Sequence, residues 1–321
     1  MPVTGIGEKV IAQVCIIVRD VEQMMARYVE IFGFDIPEVQ TTFLHDHTKA
    51  VYFGEPTDAR AKLVCFQTGG IQFELLQPLD PPSSWMDFLV QHGEGIHHIA
   101  FQVTDTDATA NSFVDCGYVV TQQGLFTGQS GMYTYFDTDK DLGVVVELLQ
   151  HFNGNPVFTA QPFDDKRGIG SDWVCQVGII VSDIEKTSRR LVEVLGLPPP
   201  AFQTTPGYAQ VETTYKGQPS EATAKLAFFS VGQLQIELIE PDEKPSVWRD
   251  FLEQKGEGAQ HIAIRVADTK RATDHFAKYG INVAQQGLYG DRSGMYTYMD
   301  SQDQLGTTIE LLENFGKIKP K

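Results

Sequence analysis

Shifted by 163 positions, the sequence lays residues 13–147 over 176–310 without a gap, and 61 of those 135 pairs are identical. A register that holds over such a length fixes the loops as well as the regular elements, so both halves are expected to share one fold. At 321 residues the chain is about twice a usual domain length. The pattern predicts a first domain over 1–152, a joining segment over 153–170, a second domain over 171–316 and a tail over 317–321, with a separate core in each domain. The joining segment, NGNPVFTAQPFDDKRGIG, is rich in Gly, Pro and Asn and has no apolar period.

A second repeat lies inside each half. QVCIIVRD (13–20), HIAFQVTD (98–105), QVGIIVSD (176–183) and HIAIRVAD (261–268) share a polar head, a β-branched apolar run and a closing Asp. Each reads as a strand feeding a helix that the Asp caps. A glycine, at Gly33, Gly117, Gly196 and Gly280, stands where each helix should stop. Shorter strand-like runs follow: KAVYF, KLVCFQT and IQFELLQP in the first unit, MYTYFDT and GVVVELLQ in the second. The expected class is α+β: four β-α-β-β-β modules that pair, two to a half, because one curved sheet with one helix cannot close a core.

A net charge of −17 repels nucleic acid and anionic membrane, which leaves a small molecule as the expected partner. The opening MPVTGIGEKV lacks the blocks of a secretory signal, and no apolar run is long enough to span a bilayer, so the expected setting is the cytoplasm. Cys15, Cys65, Cys116 and Cys175 have no CxxC spacing and read as reduced, packed thiols.

Four polar residues per half interrupt apolar strands. Gln13, Glu74, His98 and Glu147 in the first half match Gln176, Glu237, His261 and Glu310 in the second. Burying a carboxylate without a partner costs several kcal/mol, roughly, and these strands offer few Lys or Arg to pair with. A divalent cation would serve. One imidazole, one amide oxygen and two carboxylates suit Zn, Co, Ni, Mn or Fe, one ion per half, and two carboxylates neutralise a dication while leaving room for a substrate oxygen. His97 is expected to be a bystander, because strand alternation sends it to the face opposite His98 and its counterpart is Gln260.

The modules, GEGIHHIAF (93–101), the ELLQP strand end and the terminal GVVVELLQ resemble the vicinal oxygen chelate superfamily, which groups glyoxalases, methylmalonyl-CoA epimerases, bleomycin-resistance proteins and extradiol dioxygenases. The resemblance implies a cupped sheet around a metal, with the eight residues above as ligands. The surroundings are most similar to methylmalonyl-CoA epimerase, while the set Gln, Glu, His, Glu is that of zinc glyoxalase I. The glutathione-contacting pattern of glyoxalase I is absent, since Ile17, Pro78 and Glu94 stand at its positions. Extradiol dioxygenases use two His and a Glu in the C-terminal half, where this chain has Gln176 and the additional Glu237.

Family chemistry holds a substrate carbonyl on the metal while a proton moves at the adjacent carbon, with the enolate stabilised there. The implied function is a metal-dependent epimerase or isomerase. Glu147 and Glu310 would take the proton and Glu74 and Glu237 return it on the other face. A glyoxalase-type lyase is the alternative; a ring-cleaving dioxygenase and a metal-free binding protein come after it. Tyr133, Tyr135, Tyr296 and Tyr298 alternate along strands and read either as aromatic packing or as phenols lining the cavity. Trp85 and Trp248 read as core anchors. The halves diverge most at FLHDHTKA (43–50) and PGYAQVET (206–213), expected to be loops over the cavity. The oligomeric state fits a monomer or a homodimer equally.

Overall fold

A computed structural model describes residues 6, 9–154, 156 and 163–316. The predicted tail, 317–321, lies outside the described residues, as does part of the joining segment.

The first half begins with β1 (Ile11–Ile17) and α1 (Val21–Phe32) and passes through short pieces: β2 (Gln40–Thr41), α2 (His45–Thr48), β3 (Val51–Tyr52) and β4 (Glu55–Pro56). It continues as β5 (Ala61–Thr68), β6 (Ile71–Pro78), α3 (Ser84–His92), β7 (Gly95–Gln102), α4 (Thr106–Asp115), β8 (Val120–Leu125), β9 (Gly131–Phe136), α5 (Asp139–Leu142) and β10 (Val145–His151).

The second half repeats the order. It runs β11 (Val174–Ile180), α6 (Ile184–Leu195), β12 (Phe202–Thr204), α7 (Tyr208–Val211), β13 (Thr214–Tyr215), β14 (Gln218–Pro219), β15 (Ala224–Val231) and β16 (Leu234–Pro241). Then follow α8 (Val247–Lys255), β17 (Gly258–Arg265), α9 (Thr269–Ala277), β18 (Val283–Leu288), β19 (Gly294–Met299), α10 (Gln302–Leu305) and β20 (Thr308–Asn314).

Each half is one ten-stranded sheet, in the order β2-β5-β6-β1-β7-β10-β9-β8-β3-β4 and its equivalent. The fold is α+β, with two modules to each cupped sheet. The modules meet at the antiparallel pair β1 and β7, and each of these carries a parallel neighbour, β6 and β10. KAVYF departs from the simple module. Its strand β3 pairs with β8 of the other module and with β4, so this hairpin crosses to the far edge of the sheet.

Local signals place the helices. Asp20, Asp105, Asp183 and Asp268 each accept a hydrogen bond from the backbone N–H three residues on. Gly33 and Gly196 close α1 and α6 in the left-handed conformation, at φ 76° and 64°. Gly117 and Gly280 also have positive φ, but α4 and α9 end slightly earlier, at Cys116 and Lys278.

Strand alternation divides the sheet faces. In the first half Val14, Ile16, Phe73, Leu75, Ile99, Phe101, Val146 and Leu148 face the helices. Cys15, Ile17, Leu76, Ala100 and Leu149 face the hollow of the cup. The expectation of two separate cores is not met. Helix-side residues of both halves form one continuous apolar cluster, in which Phe32 meets Phe276 edge-on at 5.9 Å. Polar contacts reinforce it: Tyr28 Oη donates to the Leu305 carbonyl at 2.9 Å, and Gln233 Nε2 to that of Ile11 at 2.9 Å. The described end of the joining segment is docked, with Ile169 buried and Arg167 Nη1 2.9 Å from the Asp35 carboxylate. No described helix is long and apolar enough to cross a membrane.

Candidate functional site

Strands β1, β6, β7 and β10 bring Gln13, Glu74, His98 and Glu147 to one point inside the first cup. His98 is fully buried, and its Nε2 lies 3.3 Å from Gln13 Oε1, 3.1 Å from Glu147 Oε2 and 3.7 Å from Glu74 Oε2. The second cup repeats this with His261 Nε2 3.6 Å from Glu237 and 3.3 Å from Glu310. Each glutamine is oriented by a neighbour: Gln13 Nε2 donates to Gln72 Oε1 at 2.6 Å and Gln176 Nε2 to Gln235 Oε1 at 2.7 Å. The Gln13 side-chain carbonyl is left to face His98 in the cup.

These residues fit a cation. Glu147 Oε2, His261 Nε2 and Glu310 Oε2 are buried and meet only in imidazole–carboxylate contacts of 3.1–3.6 Å that lack good hydrogen-bond geometry, and poorly satisfied buried groups cost about 1–3 kcal/mol each. Burial pushes the Glu74 and Glu237 carboxyls up to about 7; Glu147 adds to the rise at Glu74 and Glu310 to that at Glu237. Burial alone would lower the His261 imidazolium, but the Glu310 and Glu237 carboxylates outweigh it and raise His261 to about 9. Protons occupy a donor set in which a dication would settle the same charges.

His97 is not the bystander that alternation predicts. Ile16 pairs with Ile96 and Cys15 with His98, so His97 is an extra residue in a β-bulge. Two residues then fit between the helix-facing Ile96 and Ile99, and both turn to the cup side. His97 Nδ1 lies 2.8 Å from His98 Nδ1, with its ring edge-on to Phe88 and Tyr135. Burial, and next the His98 ring, push its pKa well down, so it is neutral and able to accept from His98 Nδ1–H. Gln260 does the same work in the second half: its Oε1 is 3.2 Å from His261 Nδ1 while its Nε2 donates to the Val247 carbonyl. An acceptor on the distal nitrogen fixes the tautomer that leaves Nε2 free for a ligand.

The tyrosines are walls of the cups. Tyr135 and Tyr298 lie 5.0 Å from the rings of His98 and His261 and edge-on to Trp85 and Trp248. Tyr133 Oη accepts from Gln122 and Tyr296 Oη shares a hydrogen bond with Thr213 Oγ1. Burial raises all four phenols. His45 and His47 are engaged by the carbonyls of Ala50 and Thr127, each at 2.8 Å. Helix α2 is thereby tied to the β8–β9 turn.

Cys15, which the sequence presents as a packed thiol, faces the first cup beside Glu74 and His98. Its two-residue offset from Gln13 was the available signal. A cleft of about 520 Å³ opens between the halves, lined by His97, Gln260, Lys140 and Lys255 among others, and holds none of the eight candidate ligands.

Comparison with known proteins agrees with this architecture. YqjC, an uncharacterised protein of Bacillus subtilis strain 168, is 27% identical over 144 residues, 44% of this chain and 91% of that protein. A mutant 4-hydroxymandelate synthase from Streptomyces coelicolor superposes with a TM-score of 0.63 at 16% identity, covering 100% of this chain and 95% of its own. The 2,3-dioxygenase LapB from Pseudomonas sp. KL28 gives 0.54 at 14% identity, covering 99% and 97%. These identities speak for the fold alone. The family profile described as Glyoxalase/Bleomycin resistance protein/Dioxygenase superfamily matches residues 12–136 and 175–298. With both repeats matched and both cups built from the same strands, the chain belongs to that superfamily, the vicinal oxygen chelate group.

Proposed function

We propose that the chain is a metal-dependent epimerase or isomerase that moves a proton at a carbon next to a carbonyl. The observation carrying this reading is the pair of buried carboxylates beside one imidazole in each cup, all within 3.7 Å of its Nε2. Gln13, Glu74, His98 and Glu147, with Gln176, Glu237, His261 and Glu310, would hold one divalent ion per half. Such an ion supplies Lewis-acid stabilisation of negative charge developing on a carbonyl oxygen.

The chain's own groups do the rest. Glu147 Oε2 and Glu310 Oε2, which face the imidazoles at 3.1 and 3.3 Å, would take a proton from carbon. Glu74 and Glu237 would return a proton on the other face. His97 and Gln260 keep the imidazoles in register. Tyr135 and Tyr298 exclude water. The reading includes a small carbonyl compound as substrate, a cytoplasmic setting for the four free cysteines, and either a monomer or a homodimer.

Proton NMR in D2O with a panel of α-chiral carbonyl compounds tests it. Deuterium wash-in at the α carbon is expected; conversion of a hemithioacetal alone would replace the reading with a lyase. A second reading, dioxygen chemistry, draws on the whole-chain fold shared with the 4-hydroxymandelate synthase mutant and LapB. The donors weigh against it, because non-haem iron oxygenases typically use two His and one carboxylate. Oxygen uptake by iron-loaded protein with a catechol, and no deuterium exchange, would favour it.

A further inference from the structure

The cups differ at several inward-facing positions, among them Ala12 against Cys175 and His97 against Gln260, and one such position lies on the first strand between two donors. Cys15 pairs with Glu74 on one side and His98 on the other, and stands two residues beyond Gln13 on the same face of β1. It is fully buried, and its Sγ, a Glu74 oxygen and a His98 nitrogen lie within 4.8 Å of one another. The second half has Gly178 there, and a Cβ added to it would collide with the His261 ring. His98 and His261 therefore cannot occupy the same place over their strands. The thiol is not alone in pointing to a ligand: Glu147 is 2% exposed, and its Oε2 lies in the same cup 3.1 Å from His98 Nε2 without making a hydrogen bond of good geometry.

We infer that Cys15 Sγ is a metal donor in the first cup, which makes that cup a site for thiophilic divalent cations such as zinc, cobalt or cadmium, while the second cup binds through nitrogen and oxygen only. The inference rests on the metal reading above and adds to it a difference between the sites. On binding, the S–H bond breaks heterolytically, the proton passes to solvent, and the sulfur lone pair goes to the cation; no electron is transferred. A thiolate selects softer ions than carboxylate and amide oxygens do. In the second cup the corresponding space is taken by the His261 ring, so no side chain of that strand position can act as a donor there.

Cobalt titration of the metal-free full chain, followed by absorption spectroscopy, tests this. Two cobalt ions per chain are expected, with d–d bands from both cups and a near-ultraviolet sulfur-to-cobalt charge-transfer band from the first. Cys15→Ser should lose the charge-transfer band and keep the d–d bands of the second cup. Cys65→Ser, which removes the thiol across the sheet from Glu74, should keep both. Two bound cobalt ions without a charge-transfer band would overturn the Cys15 assignment and leave the metal reading standing, as would a band that survives Cys15→Ser or is lost with Cys65→Ser. Failure to bind cobalt at all would overturn both.

Discussion

The first cup faces its ligands with Cys15 and supports His98 with an imidazole; the second has Gly178 there, its place taken by the His261 ring, and supports His261 with an amide. Around these exchanges the eight donors keep their residue types, strands and spacing. A donor has to meet an ion in one geometry, so few side chains can replace it. Its neighbour needs only to offer an acceptor or to stay out of the way, and His97 and Gln260 meet the first requirement equally.

The largest break in the likeness between the cups comes from the final-strand carboxylates. Glu147→Gln with Glu310→Gln is expected to cut deuterium exchange by about 10²- to 10⁴-fold, and each single variant should report the share of the other cup. Unchanged turnover in the double variant would remove Glu147 and Glu310 from the role of base. Next, Gly178→Cys should imitate the first cup in sequence but expel the His261 ring from its place, so elemental analysis should find the second cation lost. Full occupancy after that change would mean that the ring has somewhere else to go.

Protonation sharpens the comparison further. A carboxyl raised from 4.5 to about 7 keeps in the folded chain a proton that the unfolded chain has released, so stability without metal falls as pH rises from about 4.5 to about 7. His261, raised from 6.5 to about 9, acts with the same sign: its contribution is complete below about 6.5 and lost as pH rises through about 9. Denaturant titrations should show this decline in the metal-free chain and a flatter profile with a saturating cation. A profile indifferent to the cation would count against both cups. The smallest effect is at the supporting residues: His97→Leu should weaken first-cup affinity about 10- to 100-fold, whereas His97→Gln, which copies the second half, should stay near the parent.

Much of this arrangement was legible in the sequence. The 163-residue offset, the capping aspartates and the four matched interruptions of apolar strands located the modules and the cup residues, because each follows from a fixed period or spacing. What was missed depends on contacts that no period encodes. Counting by twos places His97 on the wrong face because it assumes an unbroken strand, and the bulge opposite Cys15 adds a residue. Cys15 was hidden because a buried thiol in IAQVCII looks the same whether it packs or ligates. The crossing of β3 to β8 and the shared core are long-range pairings, set by how the halves close on each other.

The shared core also decides how the molecule comes apart. Phe32 against Phe276, and Tyr28 bonded to the chain at Leu305, leave neither half an apolar surface it can keep covered alone. The two halves are thus expected to melt together in a single transition. A cation taken up by either cup then raises one common melting temperature, and each site gains thermal protection from the occupancy of the other without any contact between them.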